Sequence, residues 1–317
     1  IIAPQRRLSG TLLYAWNPLV LIELAGNGHN EGILLCLLLL ATWLYITSER
    51  QEKYLLVKLN KLGAYLVFGL AISTNLVSLL LAPLLLWFDL RSRQLAPRMM
   101  LAIGVRALLM LIPALLIFLP LWRGTSTFLA LTSAADMEHF VYAPVGLLAN
   151  PLHALFSAAA QGMQFPVLVA PSTAADIALR ASATFIFALI YLHLFSRLRP
   201  EGQQSAPTFD TLLSCWGIAI FWYMVLVSGW FWPWYLLWLL WTITLQRLDA
   251  FTSAMLVLSG TALFIYPFIG FSKNPIATYQ VAIIFGIPLG YLIAAKIWQS
   301  YRKDRGTHDG RSEAAQN

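Results

Sequence analysis

The sequence predicts an all-α fold, a polytopic transmembrane helical bundle, and three observations carry that reading. Of its 317 residues, 59% are hydrophobic and 11% are charged, against about 25% charged in soluble domains. Stretches such as Met99 to Trp122 and Gln280 to Trp298 carry at most one charge each and have roughly the twenty residues a helix needs to cross 30 Å of hydrocarbon. Strict period-2 alternation is absent, which excludes barrel strands.

Full spans are expected near 11–26, 31–47, 99–121, 180–196, 210–228, 233–246, 250–270 and 278–297. Between the second and third lies Leu62 to Leu90, too long for one comfortable span and short for two. It is broken by Ser73, Thr74 and Asn75, where a membrane hairpin can turn. The positive-inside rule decides. With a hairpin, all but four of the 21 Lys and Arg residues fall on the inner side or in the tail, the exceptions being Arg106, Arg123, Arg180 and Lys273. With a single crossing they divide almost evenly. The expected protein thus has about eight full spans plus the hairpin, with Arg106 snorkelling from its span to the inner interface.

Residues 1–299 form the membrane domain, including an external loop over 123–177, and residues 300–317 a polar cytoplasmic tail expected to be disordered. The chain opens on Ile1 without an initiator Met or signal-peptide pattern, and reads as cut from a longer protein. The net charge of +7 does not imply a nucleic-acid partner, because the basic residues sort by membrane side. Cys36 and Cys215 lie in apolar segments without metal-ligand spacing and read as inert thiols.

This topology gathers three polar or aromatic segments on the outer side: Gly26 to Gly32 (GNGHNEG), the 123–177 loop, and Gly229 to Tyr235 (GWFWPWY). Upstream of the first, Asn17 and Pro18 interrupt an apolar helix, where Pro18 leaves the Tyr14 carbonyl without its usual donor and predicts a kink. Glu23 sits near the outer end of that helix. The turn Asn27, His29, Asn30 and Glu31 at the next helix start has two readings. One is capping, with Asn30 as N-cap and Glu31 in the first turn. The other is a ligand site, where free N–H groups and the helix dipole suit a phosphate. The spacing fits no nucleotide-binding loop.

These residues carry a resemblance. Trp16-Asn17-Pro18-Leu19, the following Glu23, and Gly26-Asn27-Gly28-His29-Asn30-Glu31 resemble the pattern of bacterial GT-C glycosyltransferases, in particular the polyprenol-phosphate-mannose-dependent mannosyltransferases. Trp232-Pro233-Trp234-Tyr235 is similar to an aromatic turn opening a late helix in that family, and Asn75 to Leu84 is a weaker match. The resemblance implies a GT-C-like enzyme of the cell membrane. Such an enzyme moves a sugar, most commonly mannose, from a polyprenyl-phosphate donor to a glycan or lipid acceptor on the non-cytoplasmic face, with no cofactor or bound metal. The family's usual catalytic carboxylate lies in a first external loop that would precede Ile1. The resemblance therefore assigns Glu31 and His29 to orienting the donor, with Asn17, Asn27 and Asn30 as substrate-binding partners.

Trp232, Trp234 and Tyr235 read either as an interfacial aromatic belt or as a wall of the sugar site. Arg123, Arg180 and Lys273 are the outer cations available to a leaving phosphate or to lipid headgroups. Asp136, Glu138 and His139 read as a solvated helix face or as an acceptor or metal site. The competing class is a transporter or flippase, which would place ionisable residues at mid-depth in repeated halves. No repeat is evident in the sequence.

Overall fold

The structure, a computed structural model, describes residues 4–90, 97–127, 140–161, 169–199, 207–268 and 275–314. Helix α1 (Arg7–Ala15) stops at Trp16 because Pro18 cannot donate to Tyr14. The Tyr14 carbonyl instead accepts from the Asn17 N–H at 3.2 Å. Asn17 then caps α2 (Pro18–Val20), its side-chain oxygen accepting from the Leu19 N–H at 3.0 Å. Pro18 sits at the first helical position, where a missing N–H costs nothing. The two helices bend by 54°, which is the expected kink. α2 then widens into a π turn over Leu21–Gly26.

The chain continues as α3 (Glu31–Glu49), α4 (Tyr54–Thr74), α5 (Ser78–Asp89) and α6 (Pro97–Phe118). After a 3-10 turn at Pro144–Leu148 come α7 (Ala149–Gln161), α8 (Pro171–Arg197) and α9 (Phe209–Trp222), the last extended by a second π turn at Tyr223–Val227. A 3-10 turn at Pro233–Leu236 leads into α10 (Leu237–Thr244), followed by α11 (Ala250–Thr261) and α12 (Pro275–Ala314). Among the described residues, 7 helical segments are long and apolar enough to cross a membrane, and the bent α1–α2 pair would add an eighth.

One buried carboxylate fixes how the first helices meet. Asp89, the last residue of α5, has a side chain 1% exposed. Its Oδ1 accepts from Lys61 Nζ at 2.7 Å and Tyr45 OH at 2.9 Å, and its Oδ2 from Tyr65 OH at 2.7 Å and Arg106 Nε at 2.7 Å. Lys61 also reaches Glu49 Oε1 at 2.8 Å. Since Lys61 lies in the first half of α4 and Asp89 at the far end of α5, these helices run antiparallel. The chain between them turns at Asn75, whose side-chain oxygen accepts from the Val77 N–H at 3.0 Å. This is the hairpin chosen from the distribution of cations. Arg106, expected to snorkel, terminates on the Asp89 carboxylate and the Tyr65 phenol.

Three lengths differ from expectation. α4 is a full span that starts at Tyr54, taking in Lys58 and Lys61, which the sequence reading had assigned to an inner loop. The segment expected to span over 233–246 yields only the short α10, all of whose residues are buried. A helix shielded by protein need not match the hydrocarbon thickness. The α12 backbone is helical to Ala314, beyond the boundary drawn at Ser300.

α3 sets the long dimension. Glu31 and Glu49 are its first and last residues, about 27 Å apart at 1.5 Å per residue, close to the hydrocarbon thickness. The Asp89 cluster therefore marks one end of the bundle and the His29 turn the other. α4 and α6 approach closely at Gly69, where a Cβ would collide with the Met110 carbonyl oxygen, the small-residue contact that membrane helices favour.

Replacing Asp89 with Asn leaves Arg106 without its counter-charge and Lys61 with Glu49 alone. The expected loss is about 3 to 5 kcal/mol, read as reversible denaturation in mixed micelles. A loss under about 1 kcal/mol, the range of an exposed pair, would remove the Asp89 cluster from this account.

Candidate functional site

At the other end of α3 the chain builds a second polar cluster. The π turn over Leu21–Gly26 aims Glu23 into the protein, where it is 0% exposed. π turns inside helices are frequent at functional sites. Gly28 then adopts φ +66, a conformation that favours glycine. The turn it permits brings the His29 N–H to the Glu23 carbonyl at 3.1 Å and returns the imidazole over the Glu23 carboxylate.

Glu23 Oε2 accepts from Asn27 Nδ2 at 2.9 Å and lies 3.3 Å from His29 Nε2, while Oε1 accepts from the Tyr266 hydroxyl in the 3-10 turn Ala262–Phe268 that follows α11. The other ring nitrogen, His29 Nδ1, lies 3.7 Å from Glu31 Oε2. The imidazole is thus flanked by two carboxylates. Glu31 is 4% exposed, and its Oε2 makes no hydrogen bond. A buried carboxylate oxygen without a hydrogen bond is rare enough to need a reason.

The aromatic turn walls this cluster. Trp234 stacks on His29 with centroids 4.4 Å apart, and Trp232 on Trp234 at 5.1 Å with planes 6° from parallel. Tyr235 meets Trp234 edge-on and stacks on Trp238. The segment around Val141 clamps the turn. The Val141 N–H donates to the Gly229 carbonyl, and the Phe231 N–H to the Val141 carbonyl, both at 2.9 Å. Next to this clamp, Tyr142 packs edge-on against Trp232 and holds φ 52, a conformation a bulky residue adopts only under constraint. Burial pushes the Tyr142 phenol above its usual pKa, so it is a neutral donor.

Arg180 projects from α8 to stack on Phe140, its guanidinium carbon 4.3 Å from the ring centroid. Its Nε and Nη2 are buried without hydrogen-bond partners, as is the Trp230 indole nitrogen. Phe140 and Trp230 belong to the two paired segments, so these unpaired donors flank the clamp.

The structure thus brings together Asn27, His29, Glu31, Trp232, Trp234 and Tyr235 from the sequence reading, with Arg180 at the margin. Asn30 is exposed beside the cluster and makes no side-chain cap, so the capping reading of this turn loses its side-chain hydrogen bond. Asn17 is spent on structure. Its amide nitrogen donates to Ser259 Oγ at 2.8 Å while its oxygen caps α2, tying that helix to α11. Arg123 is exposed, its backbone N–H donating to Thr127. Asp136, Glu138, His139 and Lys273 lie outside the described residues. The reading missed Glu23 as the hub and Tyr266 as its partner. Glu23, an acid in an apolar helix, was the available signal; nothing local marks Tyr266.

Tyr266→Phe strips one hydrogen bond from the buried Glu23, with an expected cost of about 1.5 to 3 kcal/mol for a bond to a charged group, measured by thermal unfolding in detergent. Asn27→Ala at the same carboxylate should show non-additivity with it; full additivity would mean the two do not share Glu23. Comparison of the chain with protein-family models, with curated proteins and with solved structures found no match.

Proposed function

We propose that the chain is a membrane glycosyltransferase of the GT-C type. It would move a sugar, mannose by the resemblance, from a polyprenyl-phosphate donor to a hydroxyl of a glycan or lipid acceptor on the non-cytoplasmic face of the cell membrane. The observation that carries the reading is the acid–imidazole–acid cluster of Glu23, His29 and Glu31 at a bundle end, two buried carboxylates about a partly exposed imidazole walled by stacked indoles. Ionisable groups at membrane depth are costly and tend to mark function.

The chemistry divides over the site by charge. In the transfer, the acceptor oxygen bonds to the anomeric carbon, the bond from that carbon to the phosphate oxygen breaks, and polyprenyl phosphate departs with the electron pair. The acceptor's proton passes to a base. Carboxylates suit hydroxyls and repel phosphate, so Glu31 Oε2 accepts from a hydroxyl of the sugar or acceptor. Glu23 holds His29 in place against Trp234. The indole faces offer flat apolar surface to the C–H face of a pyranose. The departing phosphate needs donors, and the unpaired N–H groups of Arg180 and Trp230 supply them. An apolar cavity of about 330 Å3 between α9, α11 and α12, bordered by Pro144 and Phe285, suits a prenyl chain. Phe285 packs against Phe231 of the aromatic turn at 4.8 Å, which puts this cavity beside the site.

The test is transfer of radiolabelled sugar from polyprenyl-phosphate donors by the full-length protein in proteoliposomes. Glu31→Gln or His29→Ala should lower the rate at least tenfold, about 1.4 kcal/mol of barrier. Wild-type rates in both would take this cluster out of the reaction. No product from a panel of donors and acceptors, with the protein folded, would favour transport of a lipid-linked solute.

A further inference from the structure

A second apolar groove, about 350 Å3, runs along α5 on the side facing α4, α6 and α8. It extends from Leu79 to Trp87, with Ala107 and Met110 on its α6 wall and Phe195 on its α8 wall. Eight residues of helix give it a length of about 12 Å. Trp87 and Phe195 form its floor at the Asp89 end, packed edge to face at 5.8 Å.

The mouth at that end is basic. Arg199, exposed just beyond α8, sets its guanidinium carbon 5.4 Å from the centre of the Trp87 ring, a cation–π contact. Among the described residues Arg199 makes no ion pair, unlike Lys61 and Arg106, which Asp89 neutralises. Arg197, the last residue of α8, is a second exposed cation at this end of the bundle. Trp87 contributes an indole N–H with no partner in the protein. An apolar slot between transmembrane helices with an unpaired cation and an unpaired indole N–H at its mouth is complementary to a lipid whose tail is apolar and whose head is anionic.

We propose that this groove is a binding site for an anionic phospholipid of the leaflet at the Asp89 end. One acyl chain lies along α5 and the phosphate rests on Arg199. The occupant is a bilayer phospholipid, not the transfer substrate, because the groove ends at the Asp89 cluster, a bundle length from His29. The site does not depend on the proposed sugar transfer. A lipid wedged between α5, α6 and α8 would brace the hairpin, whose short α5 otherwise packs only part of the hydrocarbon depth.

The experiment is native mass spectrometry of the detergent-solubilised protein titrated with phosphatidylglycerol, phosphatidylcholine or a polyprenyl monophosphate of matched concentration. Wild type should retain phosphatidylglycerol at least threefold more than phosphatidylcholine. Arg199→Gln should abolish that preference without changing the unfolding temperature measured free of lipid. Ala107→Phe, which fills the groove, should reduce retention of both phospholipids, and its unfolding temperature separates occlusion from misfolding. Equal retention of the two phospholipids, an unaltered preference in Arg199→Gln, or stronger retention of the polyprenyl phosphate would each overturn the assignment.

Discussion

The buried carboxylate of Asp89 is the constraint on which the rest of the arrangement depends. A carboxylate at membrane depth is tolerated only when paired, and its partners come from α3, α4 and α6. For Asp89 to meet Lys61, α5 must fold back along α4. That single reversal sets the direction of every later helix. With it, the aromatic turn, the segment around Val141 and the end of α11 all return to the His29 end. A chain that crossed once between Leu62 and Leu90 would send them to opposite faces, and Glu23 would lack both Tyr266 and its indole wall.

The two polar clusters obey one rule with different outcomes. Around Asp89 both carboxylate oxygens are saturated by two cations and two phenols, which makes a rigid joint with no capacity left for a ligand. Around His29 the balance is incomplete. Glu23 is satisfied by Asn27 and Tyr266, yet Glu31 Oε2, Arg180 and Trp230 retain unpaired groups. Folding alone does not leave such groups buried and unmatched without a cost. Under the proposed function, a sugar phosphate would complete the Glu31 acceptor and the Arg180 and Trp230 donors.

What the sequence made legible follows from length and sign. Apolar runs gave the spans, Pro18 gave the bend between α1 and α2, and the parity of Lys and Arg gave the hairpin before Lys61 and Asp89 were seen in contact. The local turn Gly26 to Glu31 was also visible, because glycine, asparagine and histidine beside a bilayer stand out against leucine. The partnerships were not. Tyr266 lies 243 positions from Glu23, and in helices hydrophobic on all sides no periodicity says which face meets which neighbour. α10 was misjudged for the same reason. Its composition suits lipid, but its neighbours enclose it, so its length is free.

The account stands most directly on that parity, and cysteine accessibility reads it. On a Cys36→Ser, Cys215→Ser background, Gln51→Cys reports the connection between α3 and α4, and Thr125→Cys the segment after α6; both positions are exposed. A membrane-impermeant maleimide applied to intact cells should label Thr125→Cys at once, and Gln51→Cys only after permeabilisation. Labelling of both from the same side would contradict the α4–α5 hairpin, and labelling of Gln51→Cys alone in intact cells would place the His29 cluster on the cytoplasmic face.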